Sequence, residues 1–214
     1  MKYHIALLTL AASFAWSGHA LALTKAEHGA QKERIEADYK ASRERCSSMQ
    51  ANAKDVCQAE AKGKEKIARA QLEAQYKPSA RNDQKVKDAQ ADASYDLAKE
   101  KCDDMTGNSK DVCMKEAKAA RTAAKADAKV TRASSSAPAA VGAAGTAGTG
   151  ITDNRSTQAG TPAGNRQAAT AEARKEAAED KNKAQYEVAK ERCDAMSGNA
   201  KDSCISAAKQ RFGQ

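Results

Sequence analysis

The stretch Cys102-Asp-Asp-Met-Thr-Gly-Asn-Ser-Lys-Asp-Val-Cys113 decides the fold of this chain, because altered copies of it occur twice more. The related copies are CSSMQANAKDVC at 46–57 and CDAMSGNAKDSC at 193–204. In every copy, ten residues separate the two cysteines. The chain is therefore built on a repeat, and each copy of the repeat carries its own cysteine pair.

The spacing of the cysteines predicts that each copy bends back on itself. In a straight helix, two residues eleven positions apart lie about 16 Å apart along the axis. A disulfide requires α-carbons within roughly 7 Å of each other. A helical hairpin meets this requirement, and closing so short a loop contributes about 3 kcal/mol to stability. We expect disulfides at Cys46–Cys57, Cys102–Cys113 and Cys193–Cys204.

Glycine–asparagine steps near the middle of the motif indicate where the chain bends. These steps are Gly107-Asn108 and Gly198-Asn199, and Ala51-Asn52 takes their place in the first copy. Glycine suits the left-handed residue just past a helix end, and asparagine suits the cap of the next helix. We therefore expect each asparagine to cap the second helix of its hairpin. The first copy lacks the glycine, so we expect the backbone of its bend to be the most strained.

Composition outside the motif favours long solvated helices of coiled-coil character. From residue 23 onward, only 14 residues are valine, isoleucine, leucine or phenylalanine, which is too few for a conventional core. Tyr39, Tyr95 and Tyr186 each precede the first cysteine of their copy by seven residues, so tyrosine and cysteine share a helical stripe. The sequence predicts an all-α fold of three disulfide-stapled helical hairpins, with a flexible linker before the third.

Domain boundaries follow from breaks in the helical pattern. Lys77-Pro78-Ser79 interrupts it between the first two copies, and a tract rich in glycine, alanine, serine and threonine precedes the third. Whether the hairpins pack together or stay separate is left open by the sequence. The predicted divisions are a signal peptide at 1–22, hairpins at 23–78, 79–132 and 169–214, and a disordered linker at 133–168.

The first 22 residues predict export. Lys2 precedes an apolar run from Ile5 to Trp16, and Ala20-Leu21-Ala22 offers a cleavage site for signal peptidase. Export to the periplasm or the medium places six cysteines in an oxidising compartment, where an even number favours disulfides. The run is too short for a membrane-spanning helix, so the mature chain is expected not to span the membrane.

Catalytic machinery is not expected, and neither is a cofactor. His4 and His19 leave with the signal peptide, so His28 is the only histidine in the predicted mature chain, on a polar stretch that indicates a solvated side chain. The sequence has neither a phosphate-binding glycine loop nor a nucleophile elbow. Carboxylates are plentiful, but they follow the charge pattern of solvated helices. These observations predict a protein that is not an enzyme.

A metal site is the alternative, because a methionine follows the first cysteine of every copy by three residues. These residues are Met49, Met105 and Met196. Thiolate and thioether ligands suit monovalent copper, so the alternative function is copper-type metal handling or a thiol-responsive stress role. Methionine also fills space beside a disulfide, and oxidised cysteines have no thiolate. The primary expectation is therefore that no metal binds.

The charge balance bears on possible partners. The chain has a formal net charge of +8, and basic residues such as Arg43, Lys62 and Lys66 are candidates for contact with anionic envelope components. Acidic residues are interspersed among them. Few aromatic residues are available to stack on bases, so sequence-specific nucleic-acid binding is not expected.

The motifs resemble those of small exported proteins of Gram-negative bacteria. The resemblance rests on Tyr95 to Cys102 followed by Gly107 to Asp111, and on Tyr186 to Cys193 followed by Gly198 to Asp202. Some members of that group are labelled cell envelope biogenesis proteins, by likeness to the Ala-Lys-Glu helix of the TolA proteins. The resemblance assigns no functional residue. The signal peptide, the three hairpins and the linker predict a non-enzymatic binding or structural protein of the cell envelope, whose unidentified partner is expected among anionic envelope components or envelope proteins.

Overall fold

The computed structural model describes residues 23–136 and 162–214, and within them the only regular secondary structure is helical. The predicted signal peptide at 1–22 and residues 137–161 lie outside the described part. The helices are α1 (Lys25–Ser47), α2 (Ala51–Tyr76), α3 (Ala80–Cys102), α4 (Gly107–Ser135), α5 (Pro162–Cys193) and α6 (Gly198–Phe212).

The helices form three hairpins, each closed by a disulfide, which confirms the predicted fold class. The hairpins are α1–α2, α3–α4 and α5–α6. Most of the range predicted as linker lies outside the described residues. At its two ends the structure differs from the prediction, because α4 continues to Ser135 and α5 begins at Pro162. Proline suits the first position of a helix, because its missing N–H needs no partner there, and Pro162 stands at that position of α5.

Helix starts follow local sequence where a side chain is available to cap them. Thr24 caps α1 and forms a capping box with Glu27. Ser79 caps α3 by accepting a hydrogen bond from the backbone N–H of Asn82. Pro78 lies in the short connection between α2 and α3, where its missing N–H and fixed φ end the preceding helix.

The hairpins pack against one another as one continuous array. Each helix contacts the helices before and after it in sequence, and no other pair among the described residues makes contact. The third hairpin is therefore not a separate module, because α5 packs along α4. Neighbouring helices run in opposite directions, so the bends after α1, α3 and α5 lie along one edge of the array.

Packing between the helices relies on small side chains. The buried apolar residues are mainly alanine and cysteine, with Leu72 and Val188 as the larger exceptions. At the joint between the first two hairpins, a Cβ placed on Gly63 would come within 2.9 Å of the Ala93 Cβ. Glycine thus allows the backbones of α2 and α3 to approach closely.

Ion pairs across the joints supplement these thin apolar seams. Lys66 of α2 pairs with Asp96 of α3 at 2.9 Å, and Lys129 of α4 pairs with Glu176 of α5 at 2.7 Å. No described helix has an apolar stretch long enough to cross a bilayer.

Candidate functional site: the disulfide bends

Each bend is held by one disulfide between the last turn of one helix and the first turns of the next. The α-carbons are 5.6 Å apart for Cys46–Cys57 and 5.7 Å apart in the other two bridges. The first cysteine of each pair is buried. Because the bridge lies inside each copy, the three bends are equivalent units with the same staple.

The backbone reverses through a left-handed residue that opens the second helix of each hairpin. Gly107 has φ of 58° and Gly198 has φ of 57°. Ala51 occupies the same position in the first hairpin with φ of 49°. Only glycine enters this region without steric cost, so the first bend carries backbone strain that the other two avoid.

The predicted capping role of the asparagines is wrong. The residues at the N-cap positions of α2, α4 and α6 are Gln50, Thr106 and Ser197, and none of them forms a side-chain cap. The first helix of each hairpin ends at its first cysteine or one residue later. The residues between the two helices, 48–50, 103–106 or 194–197, together with the left-handed residue that follows them, reverse the chain. The asparagines fall after the reversal, inside the first turn of the second helix, which is too late to cap it.

Two of the asparagines instead join one hairpin to the next. The side-chain amide of Asn52 donates a hydrogen bond of 2.8 Å to the backbone carbonyl of Glu100. Asn108 makes the same bond, at 2.9 Å, to the carbonyl of Glu191. Both carbonyls belong to the last turn of a helix, and each also accepts a backbone N–H, from Asp103 or Asp194. Asn199 is exposed and makes no such bond within the described residues.

Ion pairs across the second and third bends repeat one pattern. Lys110 contacts Asp103 and Lys201 contacts Asp194, each at 2.8 Å. These hydrogen bonds lower the pKa of both carboxyl groups and raise the pKa of both lysines. The first bend has Ser47 at the carboxylate position, so it lacks this pair as well as the glycine.

The three methionines project from the bend edge. The exposed fraction of the whole residue is 42% for Met49, 45% for Met105 and 48% for Met196. Each backbone N–H donates to the carbonyl of the first cysteine in its copy, which gives the bends one geometry. All six cysteines are in disulfides, so the thiolates that the metal alternative requires arise only on reduction. Within the described residues, no group of three or more histidine, cysteine, aspartate or glutamate side chains is arranged to hold a metal ion.

Sequence reasoning missed the environment of His28. Its Nε2 lies 2.8 Å from Glu73 Oε1, and its ring centroid is 4.4 Å from that of Tyr76. The side chain therefore joins the start of α1 to the end of α2 instead of being solvated. No local signal marks this contact, because the partners are far apart in sequence and meet only when the hairpin closes.

Two other missed residues did have a signal. Gly63 stands inside a helix, where glycine is unfavourable and often marks a close approach. Asn52, Asn108 and Asn199 hold the same place in each copy, five residues before the second cysteine. That regularity extends from one hairpin to the next and indicates a role in joining copies.

Surface grooves run between the helices and are lined by alanine and charged side chains. One of them crosses the first three helices and includes Tyr39, Arg43 and Lys62. Comparisons with protein-family models, with curated proteins and with solved structures gave no match.

Proposed function

We propose that this chain is a non-enzymatic, exported helical protein that acts in the periplasm by binding or spacing components of the cell envelope. The observation that carries the proposal is the continuous array of three disulfide-stapled hairpins. An array of this kind presents a broad, regular surface, and proteins built from stacked repeats use such surfaces to bind extended partners.

The dependence on disulfides supports a location outside the cytoplasm. The seams contain mainly alanine, so apolar burial contributes little per helix, whereas each short disulfide loop contributes about 3 kcal/mol. A reducing compartment would remove that contribution. The predicted signal peptide leads to an oxidising compartment, where the staples persist.

Cell fractionation with site-specific cross-linking tests the proposal. A photoreactive residue is placed at Met105 on the bend edge or at Lys77 on the opposite edge. The chains recovered from the cell fractions are then analysed by mass spectrometry without reduction of their disulfides. We expect a mature chain with three intact bridges, and cross-links to envelope components from at least one edge. Those cross-links should disappear when the cysteines are replaced by serine.

Several outcomes would defeat the proposal. A chain retained in the cytoplasm with its first 22 residues uncleaved would contradict the export step. Cross-links that are equally strong in the serine variant would show that the stapled array is not required. Turnover of a small molecule by the purified chain would contradict the non-enzymatic assignment.

A further inference from the structure

Every helix of the array carries one exposed cation at a matching position. On the first helix of each hairpin it stands three residues before the first cysteine, and on the second helix five residues after the second cysteine. These residues, which we call the cation row, are Arg43, Lys62, Lys99, Lys118, Lys190 and Lys209.

The cation row lies on one face of the array. Arg43, Lys62 and Lys99 line one groove across the first three helices. Lys118 and Glu187 line the groove between α4 and α5. In the repeat, Lys118 corresponds to Lys62 and Glu187 corresponds to Asp96, and Lys62 and Asp96 both line the first groove. Since the copies share their bend geometry and their joints, matching positions in successive copies face the same side.

The members of the cation row also stand at similar heights on their helices. At a rise of 1.5 Å per residue, its members stand about 4.5 Å and 7.5 Å from the level of the disulfides on alternate helices. Packed helices are 8–10 Å apart, so six of them carry the row over roughly 40–50 Å. The long side chains of lysine and arginine readily span the small alternation in height.

Most of the cation row forms no ion pair with the protein's own carboxylates in the described part of the chain. Within the described residues, Lys99 alone of the six takes part in an ion pair, with Glu100 at 3.7 Å. Three nearby acids of the same face already have other partners, whereas Asp55 in the first groove forms no ion pair within the described residues. Asp96 pairs with Lys66, and Glu187 and Glu191 share Lys115. The row therefore leaves positive charge available to a ligand.

A parallel row of carboxylates limits what that ligand can be. Asp55, Asp111 and Asp202 are exposed and belong to no ion pair within the described residues. Each precedes its helix's cation by seven residues, about 10 Å along the axis and toward the bends. That separation is close to the screening length at physiological salt. A flat anionic membrane would cover both rows, whereas a single polymer chain can follow the cations and avoid the carboxylates.

We propose that the cation row binds a linear, phosphate-bearing polyanion laid across all six helices. This inference rests on the proposed binding role and names the chemical class of the ligand. Affinity comes from many weak charge contacts along the polymer, so binding must weaken steeply as salt rises. The geometry favours an extended chain over a compact ligand, because neighbouring cations are a whole helix apart.

Binding of long-chain inorganic polyphosphate to the oxidised chain tests this proposal, measured by fluorescence anisotropy at two salt concentrations. Four row lysines are replaced together in the variant K62Q, K118Q, K190Q and K209Q. The control K25Q, K85Q, K101Q and K175Q removes four exposed, unpaired lysines elsewhere and lowers net charge equally. Unreduced mass and circular dichroism establish that both variants fold, and K118Q alone provides a milder change.

We expect the row variant to bind at least about tenfold more weakly than the original chain, and the control within about threefold of it. Equal losses in both variants would overturn the proposal, because net charge alone would then explain binding. Binding to vesicles of phosphatidylglycerol and phosphatidylethanolamine, without binding to polyphosphate, would also overturn it. Either result leaves the envelope role standing, since export and cross-linking test that role separately.

Discussion

Replacing Ala51 by glycine should stabilise the first hairpin. Ala51 has φ of 49°, and a left-handed conformation costs an L-residue about 1–2 kcal/mol. Glycine removes that cost, but it also gives the unfolded chain more freedom, which offsets about 0.4–1 kcal/mol. The expected net gain is therefore about 0.5–1 kcal/mol.

Urea denaturation of the oxidised chain, followed by circular dichroism, measures the gain. If the free energy of unfolding falls by about 2 kcal/mol per molar urea, the midpoint of the unfolding transition should rise by about 0.25–0.5 M. The reciprocal change G107A is the matched control. A Cβ at Gly107 meets nothing within 4 Å, so the only expected effect of that change is backbone strain, and the midpoint should fall by a similar amount.

A second control separates the bend from glycine content. G29A replaces a helical glycine whose Cβ also meets nothing within 4 Å, and it should stabilise the chain because alanine favours helix. The reasoning fails if A51G lowers the midpoint or leaves it unchanged while G107A also lowers it. The equivalent positions would then not share one backbone requirement.

Four further predictions concern the joints, the ion pairs and metal binding. N52A should cost about 1 kcal/mol in urea denaturation, because its hydrogen bond joins two hairpins; N199A, at the exposed position, should cost almost nothing, and equal losses would contradict the joint. G63A should lower the free energy of unfolding by about 0.5–2 kcal/mol, because the contact with Ala93 costs about 1–3 kcal/mol and the helix preference of alanine offsets about 1 kcal/mol; a stabilised variant would show that the helices have room. Burial raises the pKa of Asp92, but hydrogen bonds from Lys125 and Arg121 outweigh it and leave the pKa below its ordinary value. The ion pairs of Asp92 therefore stabilise the folded chain at pH values above the ordinary pKa of aspartate. This stabilisation is lost as pH falls through the lower pKa that Asp92 has in the folded chain. D92N should lower the free energy of unfolding, measured with urea, by about 1 kcal/mol at pH 7 and should not change it near pH 2. An equal loss at both pH values would contradict the ion pair. The oxidised chain should bind no stoichiometric monovalent copper in a chelator-competition titration, because its cysteines are bonded; tight binding would instead favour the metal alternative.

The repeat made the hairpins predictable because its information is local. Two cysteines ten residues apart with a turn between them leave few ways to close a bridge, and the position of Gly107 marked the left-handed residue. The joints between hairpins were not predictable in the same way. The bond from Asn52 to Glu100 depends on how α2 lies against α3, and the sequence left open whether those helices touch. A local rule for asparagine therefore suggested capping, whereas tertiary packing gave it another role.

The staples and the joints act at different levels, and a surface function depends on both. A disulfide fixes the reversal inside a hairpin but says nothing about the height of the next hairpin. That height is fixed by Asn52, Asn108, the close approach at Gly63 and the ion pairs across the joints. Without a large apolar core to lock the register, these few contacts keep matching positions level across six helices. Loosening a joint should therefore misalign the faces while every disulfide remains intact.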